Sequence, residues 1–260
     1  MATEPPSLRR IYRYPVKGLS PEPLERTTLA PGQTVPADRL YAIENGPSGF
    51  DPTAPNYFPK IKFLMLMRNE RLARLDTKLD TKLGLASHVL TIREGDHDVA
   101  RGDLRTAQGR QAIEDFFARF CADELHGPPK VLDAPGHSFS DVAKKVVSII
   151  NLASVAALAT LVGRPVDPLR FRANLYVAGW TPWSELDLVG RELSIGGARL
   201  KVVKRIVRCA ATNVDPATGI RDLNIPESLL RALGHMDCGI YAEVIAGGEI
   251  TAGDRIDISA

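Results

Sequence analysis

Paired glycines set between short β-prone runs constrain this chain more than any other feature. Residues 192–195 and 199–207 flank Gly196-Gly197, and the run 241–245 leads into Gly247-Gly248 ahead of a last run at 254–258. Glycine reaches the positive φ that two-residue turns require, so both pairs are predicted as hairpin turns. Residues 175–177 add a further strand. Many short strands with tight turns imply a small barrel in the C-terminal part of the chain. One convincing helix interrupts it at 227–233, opened by Pro226 and closed by Gly234.

Upstream, short apolar runs at 11–14, 24–29 and 40–43 are separated by Pro, Gly and Asp, and read as strands. Residues 46–59 hold Pro47, Pro52, Pro55 and Pro59, and a loop of that length is usually a lid or a binding edge. A further strand is expected at 63–67. The tetrad 76–79 repeats at once as 80–83 and reads as a solvated segment. A helix starting near Thr106 puts Ile113, Phe116, Phe117 and Phe120 on one stripe before Gly127-Pro128-Pro129 ends it, and is read as a link between two halves. The run 146–150 then enters Asn151, a good N-cap, and a helix over 152–162 that stops at Gly163. Such a strand-to-helix turn points backbone N–H groups at whatever lies before it.

Composition narrows the function. The 260 residues make one large domain or two small ones, and 33 Lys plus Arg against 31 Asp plus Glu leave a net charge of +2. Neither disorder nor a broad phosphate-binding surface follows, so no nucleic-acid partner is expected. The cysteines, Cys121, Cys209 and Cys238, form no C-x-x-C pair, which fits a reducing compartment. With no signal-like apolar segment and no run of membrane-spanning length, a cytoplasmic protein without a membrane partner is expected. The common nucleotide, zinc-protease and serine-hydrolase motifs are absent from the sequence.

Chemistry concentrates around Cys209. It leaves a strand among Lys201, Lys204, Arg205 and Arg208 and opens the string Cys209-Ala210-Ala211-Thr212-Asn213-Val214-Asp215-Pro216-Ala217-Thr218-Gly219. Positive charge favours thiolate over thiol, and a thiolate suits a soft or high-valent metal. Taken alone, a single Cys beside a strand is more often a small core hydrophobe, and basic residues on one strand face are more often a solvated face. A second, scattered set of cations, in Tyr14-Pro15-Val16-Lys17-Gly18, Asp38-Arg39 and Arg170-Phe171-Arg172-Ala173-Asn174, can converge on an anion such as phosphate.

Together these segments resemble a known family. Tyr14-Pro15-Val16-Lys17 with Asp38-Arg39 is similar to the N-terminal β-barrel domain that precedes MOSC domains. Asn151-Leu152-Ala153-Ser154, the 170–174 segment, Arg208-Cys209 with the string through Gly219, and Gly239-Ile240-Tyr241 with Gly253-Asp254 resemble the MOSC domain itself. The resemblance covers nearly the whole chain. It implies a β-rich α+β protein, with an N-terminal MOSC-type β-barrel domain at 5–105, a linking helix at 106–130, and a MOSC β-barrel domain with a few helices at 131–260.

The family is named for the C-terminal domain of molybdenum cofactor sulfurase and includes the mitochondrial amidoxime-reducing component. By that resemblance Cys209 is the catalytic residue and the protein ligand to molybdenum. Lys17, Arg39, Arg172 and Asn174 hold the pterin and its phosphate, and Gly18, Ser154, Arg208, Thr212, Asp215 and Tyr241 belong to the same cofactor pocket. The implied activity is reduction of N-hydroxylated or N-oxide-type small molecules with molybdenum cofactor, molybdopterin carrying Mo. With no four-cysteine segment after residue 260 and no anchor before residue 1, the electrons are expected from a separate ferredoxin or flavoprotein. Two other readings stay open: a cofactor carrier or sulfur-transfer module with a persulfide on Cys209, and a non-catalytic binding protein for a phosphorylated ligand.

Two positions depart from the family pattern. Gly18 stands where relatives carry Ser, so a cofactor hydrogen bond is lost or passes to a backbone N–H, and Ala173 replaces a proline. Cys121 reads as core. Cys238 also reads as strand packing, with a second thiol near the cofactor as the alternative, and His235 beside Asp237 is either a surface residue or a proton donor near the site.

Overall fold

The computed structural model describes residues 5–80 and 88–259. In chain order its strands are β1 (Ser7–Arg13), β2 (Glu22–Leu24), β3 (Arg26–Leu29), β4 (Ala42–Asn45), β5 (Leu75–Asp80), β6 (Val89–Glu94) and β7 (His97–Asp103). Helix α1 (Ala107–Phe120) and β8 (Pro129–Leu132) follow, then β9 (Val147–Asn151), α2 (Leu152–Val162) and β10 (Leu175–Ala178). The chain ends with β11 (Glu192–Ile195), β12 (Ala198–Val207), α3 (Ile225–Leu233), β13 (Asp237–Ala246), β14 (Gly248–Thr251) and β15 (Ile256–Ser259). The fold is thus β-rich α+β, as expected.

An eight-stranded sheet in the order β15-β11-β12-β13-β9-β10-β1-β2 dominates. Its first two strands in sequence sit at one edge, where β1 pairs antiparallel with β10. The N-terminal segment therefore completes the C-terminal sheet. The β9–β10 pair is parallel and α2 makes the crossover, its start capped by the Asn151 side chain accepting from the Ala153 amide and its end by Gly163 at φ 69°. Leu8, Ile11, Val147, Leu175, Leu200 and Ile240 are among the side chains of the core on one face of this sheet. On the other face α2 and α3 pack through Val155, Leu158, Ile225 and Leu229 onto Ile150 and Tyr176.

A second core belongs to the remaining strands. Ile113, Phe116 and Phe117 of α1 pack with Leu75, Leu79, Leu90 and Ile92 of the β5-β6-β7 sheet, so the helix is a member of this core. Its N-cap is Thr106, whose hydroxyl oxygen accepts from the Gly109 amide. The first copy of the repeated tetrad is not merely solvated. It lies in β5, with Leu75, Thr77 and Leu79 buried in alternation, because threonine and leucine at every second position suit a half-buried strand. The second copy extends beyond residue 80, mostly outside the described residues.

Two further expectations change. Residues 63–67 form no strand: only Phe63 bridges, to Glu44, and the chain then turns, with the Arg68 and Asn69 amides donating back to the Met65 carbonyl. Gly247-Gly248 makes no hairpin with β13, since β14 leaves to pair with β3. The glycines serve a backbone approach instead: a Cβ on Gly248 would lie 2.2 Å from the carbonyl carbon of Gly197. Gly196-Gly197 does turn β11 into β12, where Ile195 faces Ala198.

Candidate functional site

A cavity of about 320 Å³ is lined by segments from both the N-terminal and the C-terminal parts of the chain. Its walls come from the turn after β1 (Lys17, Gly18), the Asp38-Arg39 turn, Lys60, Asp141, the 170–174 segment, and the end of β12 with Cys209 and Thr212. Eight cationic side chains line it against only two carboxylates, Asp38 and Asp141. Such an imbalance in a partly enclosed space favours an anionic occupant.

How each cation is held decides what remains free. Lys17 is 5% exposed, and its Nζ donates to the Phe139 carbonyl at 2.8 Å and to Asp141 Oδ1 at 2.5 Å. Burial lowers its pKa below the ordinary lysine value, against the pull of Asp141. Arg39 donates to Asp38 Oδ2 at 2.5 Å and to the Arg172 carbonyl at 2.9 Å. Arg172 donates Nη2 to the Leu19 carbonyl at 2.8 Å, and among the described residues no carboxylate lies within ion-pair distance of it. Arg208 Nε and Nη1 bind the Cys238 and Phe171 carbonyls, leaving Nη2 buried without a partner. These are the groups an anion would satisfy.

Cys209 follows the end of β12 and is half-buried. The ammonium on its Sγ is none of those anticipated beside it in sequence. Lys60 Nζ, just past the proline-rich segment, sits 3.1 Å from the sulfur. Burial works against the Lys60 charge, but Asp141 and then Cys209 outweigh it and raise its pKa. Asp141 bridges Lys60 at 3.8 Å and Lys17. Burial alone would raise the Asp141 carboxyl, whereas the two ammoniums hold it well below the usual carboxylate range. Lys60 and Asp141 escaped the sequence reading, although the loop before Lys60 had the composition of a binding edge.

Matches to known families agree with this geometry. The MOSC domain model matches residues 123–257, and the MOSC N-terminal beta barrel domain model matches 6–127. The chain belongs to the MOSC family. It is 31% identical over 122 residues to mitochondrial amidoxime reducing component 2 of Bos taurus, covering 42% of this chain and 36% of that protein. It is 33% identical over 95 residues to mitochondrial amidoxime-reducing component 1 of Mus musculus, covering 36% and 27%. The matched segments thus span about a third of these relatives' length. The YUAD protein from Bacillus subtilis superposes with a TM-score of 0.46 at 14% identity, covering 99% of this chain and 97% of that one.

Within this MOSC chain, not every expected site residue reaches the cavity. Lys17, Gly18, Arg39, Arg172, Asn174, Arg208, Cys209, Thr212 and Tyr241 line it. Asn174 does so with its amide committed: Oδ1 accepts from the Ser148 amide and hydroxyl, and Nδ2 donates to the Tyr12 carbonyl. Thr212 donates its hydroxyl to the Cys209 carbonyl and so shapes the loop that presents the thiol. The Tyr241 hydroxyl pKa is raised by burial, and Lys204 Nζ lies 5.5 Å from its ring centroid. Gly18 sits at φ 83°, and a Cβ there would meet the Leu64 carbonyl at 2.8 Å, so a serine would be strained.

Ser154 and Asp215 stand apart from the cavity lining. Ser154 is fully buried on α2, donating to Glu185 Oε2 at 2.8 Å and accepting from the Trp183 amide. Asp215 folds its own loop by accepting from the Ala217 and Thr218 amides, and pairs with Arg170 at 2.9 Å. Asp222 also pairs with Arg170. Of the two arginines in the 170–174 segment, only Arg172 therefore stays without a carboxylate partner. Cys238 and Cys121 are buried, and burial pushes both thiols up to about 12. His235 accepts from the Asp237 amide and lies outside the cavity lining.

Proposed function

We propose that this chain binds molybdenum cofactor in the Cys209 cavity and reduces N-hydroxylated or N-oxide-type small molecules, with electrons from a separate redox protein. The observation that carries the reading is Arg172, a guanidinium with no carboxylate within ion-pair distance among the described residues, which lines the same cavity as a half-buried thiol. The residues present fit the group. A terminal phosphate suits Arg172, Arg39 and Lys17, and the orphaned Arg208 Nη2 gives a further donor. Cys209 Sγ offers one soft ligand. Among the described residues no cluster of three His, Cys, Asp or Glu can hold a metal ion, so the rest of the metal's coordination would come from the cofactor's own sulfurs.

When bound, the cofactor supplies the metal redox chemistry for removing oxygen from nitrogen. The chain's own residues bind and orient. Lys60 would hold its ammonium against the Cys209 sulfur, and Thr212 fixes the Cys209 carbonyl. Asp141 anchors Lys60 and Lys17 in one network.

Protein made in a cofactor-competent host and analysed for molybdenum and pterin tests the binding. One equivalent of each supports the reading, and neither leaves the phosphorylated-ligand alternative. Turnover of an amidoxime with an artificial reductant then separates an enzyme from a carrier.

A further inference from the structure

Tyr14 is fully buried beside the cavity, and two arginines share its ring. The guanidinium carbon of Arg39 lies 4.4 Å from the ring centroid and that of Arg172 lies 4.3 Å away. These two like charges repel, and burial adds a cost to each. Something must hold them together before an anion arrives. Both arginines also adopt left-handed backbone, each with φ 50°, a conformation that costs energy in a residue carrying a side chain and persists only where surroundings enforce it.

The enforcing contacts converge on Tyr14. Asp38 accepts from the Tyr14 amide at 2.8 Å through Oδ1 and from Arg39 Nη1 through Oδ2. The Arg39 amide donates to the Tyr14 carbonyl at 2.7 Å, and Arg39 Nη2 donates to the Arg172 carbonyl. What remains for the Arg172 guanidinium is the Leu19 carbonyl and the ring itself. An aromatic face carries negative quadrupole charge, so one ring can attract both guanidiniums without neutralising either. Asp38 already pairs with Arg39, whereas among the described residues no carboxylate pairs with Arg172, whose charge the ring leaves available to a ligand.

We propose that Tyr14 is the positioning residue of the anion site: its ring gathers the Arg39 and Arg172 guanidiniums into a preassembled pair that receives a phosphate-type dianion. The inference rests on the cavity being an anion site, and adds which residue orders its cations. The ring carries the role and the hydroxyl does not. Among the described residues the Tyr14 hydroxyl reaches only the Tyr176 hydroxyl, at 3.4 Å.

The test uses the full chain made in a host that lacks molybdopterin, with inorganic pyrophosphate titrated by calorimetry. Tyr14→Phe is expected to bind within about threefold of wild type, and Tyr14→Leu about tenfold or more weaker, each ring contact being worth a sizeable part of a tenfold factor. If Tyr14→Leu does not fold, phenylalanines of increasing fluorination at position 14 keep the shape and drain the ring's negative face, and affinity should fall stepwise with fluorine content. Equal affinity across that series, wild-type affinity in a folded Tyr14→Leu, or a tenfold loss in Tyr14→Phe would each overturn the proposal. Arg172→Ala separates the two levels of the argument. Wild-type binding that Arg172→Ala abolishes and Tyr14→Leu leaves intact sinks the positioning role alone, whereas a wild type that binds no pyrophosphate sinks the anion site with it.

Discussion

Lys60 Nζ lies 3.1 Å from Cys209 Sγ although 149 positions separate them in sequence. The contact joins the two halves of the chain at the thiol: Lys60 follows the proline-rich loop of the N-terminal part, and Cys209 follows β12 of the large sheet. Neither half presents a charged thiol site alone. Asp141 extends the contact to Lys17, so the network ties the Tyr-Pro-Val-Lys turn to the Cys209 loop.

Burial sorts the cysteines chemically. Cys121 and Cys238 are fully buried with thiols pushed up to about 12, while Cys209 is partly open to solvent. Native, metal-free protein at pH 7.5, a value chosen well below those thiols, should take up about one equivalent of iodoacetamide and denatured protein about three. Mass spectrometry should place the native label on Cys209, and Cys209→Ala should remove it with the fold intact. Cys121→Ala should instead cost about 1–3 kcal/mol of stability. A native label on Cys238 would contradict this arrangement.

Asp141 gives the site a pH signature. Its folded-state pKa lies below that of an ordinary aspartate, so its contribution to stability is full above the ordinary value and is lost as pH falls through the folded one. Its side chain is 48% exposed, and solvent screening keeps the effect modest. Thermal melts should show Asp141→Asn below wild type at neutral pH, with the gap closing below about pH 4. A gap that stays constant down to pH 2.5, an acid end-point chosen for the melts, would mean the carboxylate charge does not matter.

Local signals were the legible part of the fold. The Asn151 cap, the Gly163 stop and the Gly196-Gly197 turn depend on a few neighbouring residues, and each forms as its sequence dictates. What sequence could not show was partnership across the chain. That β14 pairs with β3, or that β1 completes the large sheet, depends on contacts between segments far apart. The same division runs through the site. Lys17, Arg39, Arg172 and Cys209 sit in recognisable strings, whereas Lys60 becomes visible only once the fold sets it beside the thiol. Ser154 and Asp215 lie in equally recognisable strings but stand outside the cavity lining.

Free charge, rather than mere presence in the cavity, should rank the cations. Among the described residues Arg172 has no carboxylate within ion-pair distance, while Lys17 is shared with Asp141. Arg172→Ala should therefore lose more pterin on purification than Lys17→Ala, each removing charge-assisted hydrogen bonds worth about 1.5–3 kcal/mol. Pterin fluorescence after denaturation measures both. Full pterin content in Arg172→Ala would return the arginine to the solvated-face reading.

Ser154 tests the opposite case. Its hydroxyl donates to Oε2 of buried Glu185, to which Asn151 also donates, and accepts from the Trp183 amide, while burial raises the Glu185 pKa. Ser154→Ala should cost about 1–3 kcal/mol by leaving the Trp183 amide without its acceptor and removing one of two donors to Glu185 Oε2. Pterin content in the folded variant should equal that of wild type. Loss of pterin without loss of stability would restore Ser154 to the cofactor site.

Electron supply is the step this sequence equips least. Three cysteines, of which two are fully buried, cannot provide the four thiolates of an ordinary iron–sulfur cluster, and the glycine-rich nucleotide fingerprints are missing. Cofactor-loaded chain should thus turn over an amidoxime with reduced viologen and fail with NADH or NADPH alone. A ferredoxin or flavoprotein should replace the viologen by docking on the basic rim. There the structure changes the weighting: Arg205 is occupied by Asp187, Asp237 and the Leu186 carbonyl, whereas Lys204 is exposed at the cavity wall over Tyr241. Lys204→Glu should then weaken donor-driven turnover and flatten its salt dependence, yet leave the viologen rate within about twofold, because steering acts on encounter and not on the chemistry. NADH-driven turnover by the chain alone would overturn the dependence on a partner, and an equal loss with viologen would place Lys204 in the reaction itself.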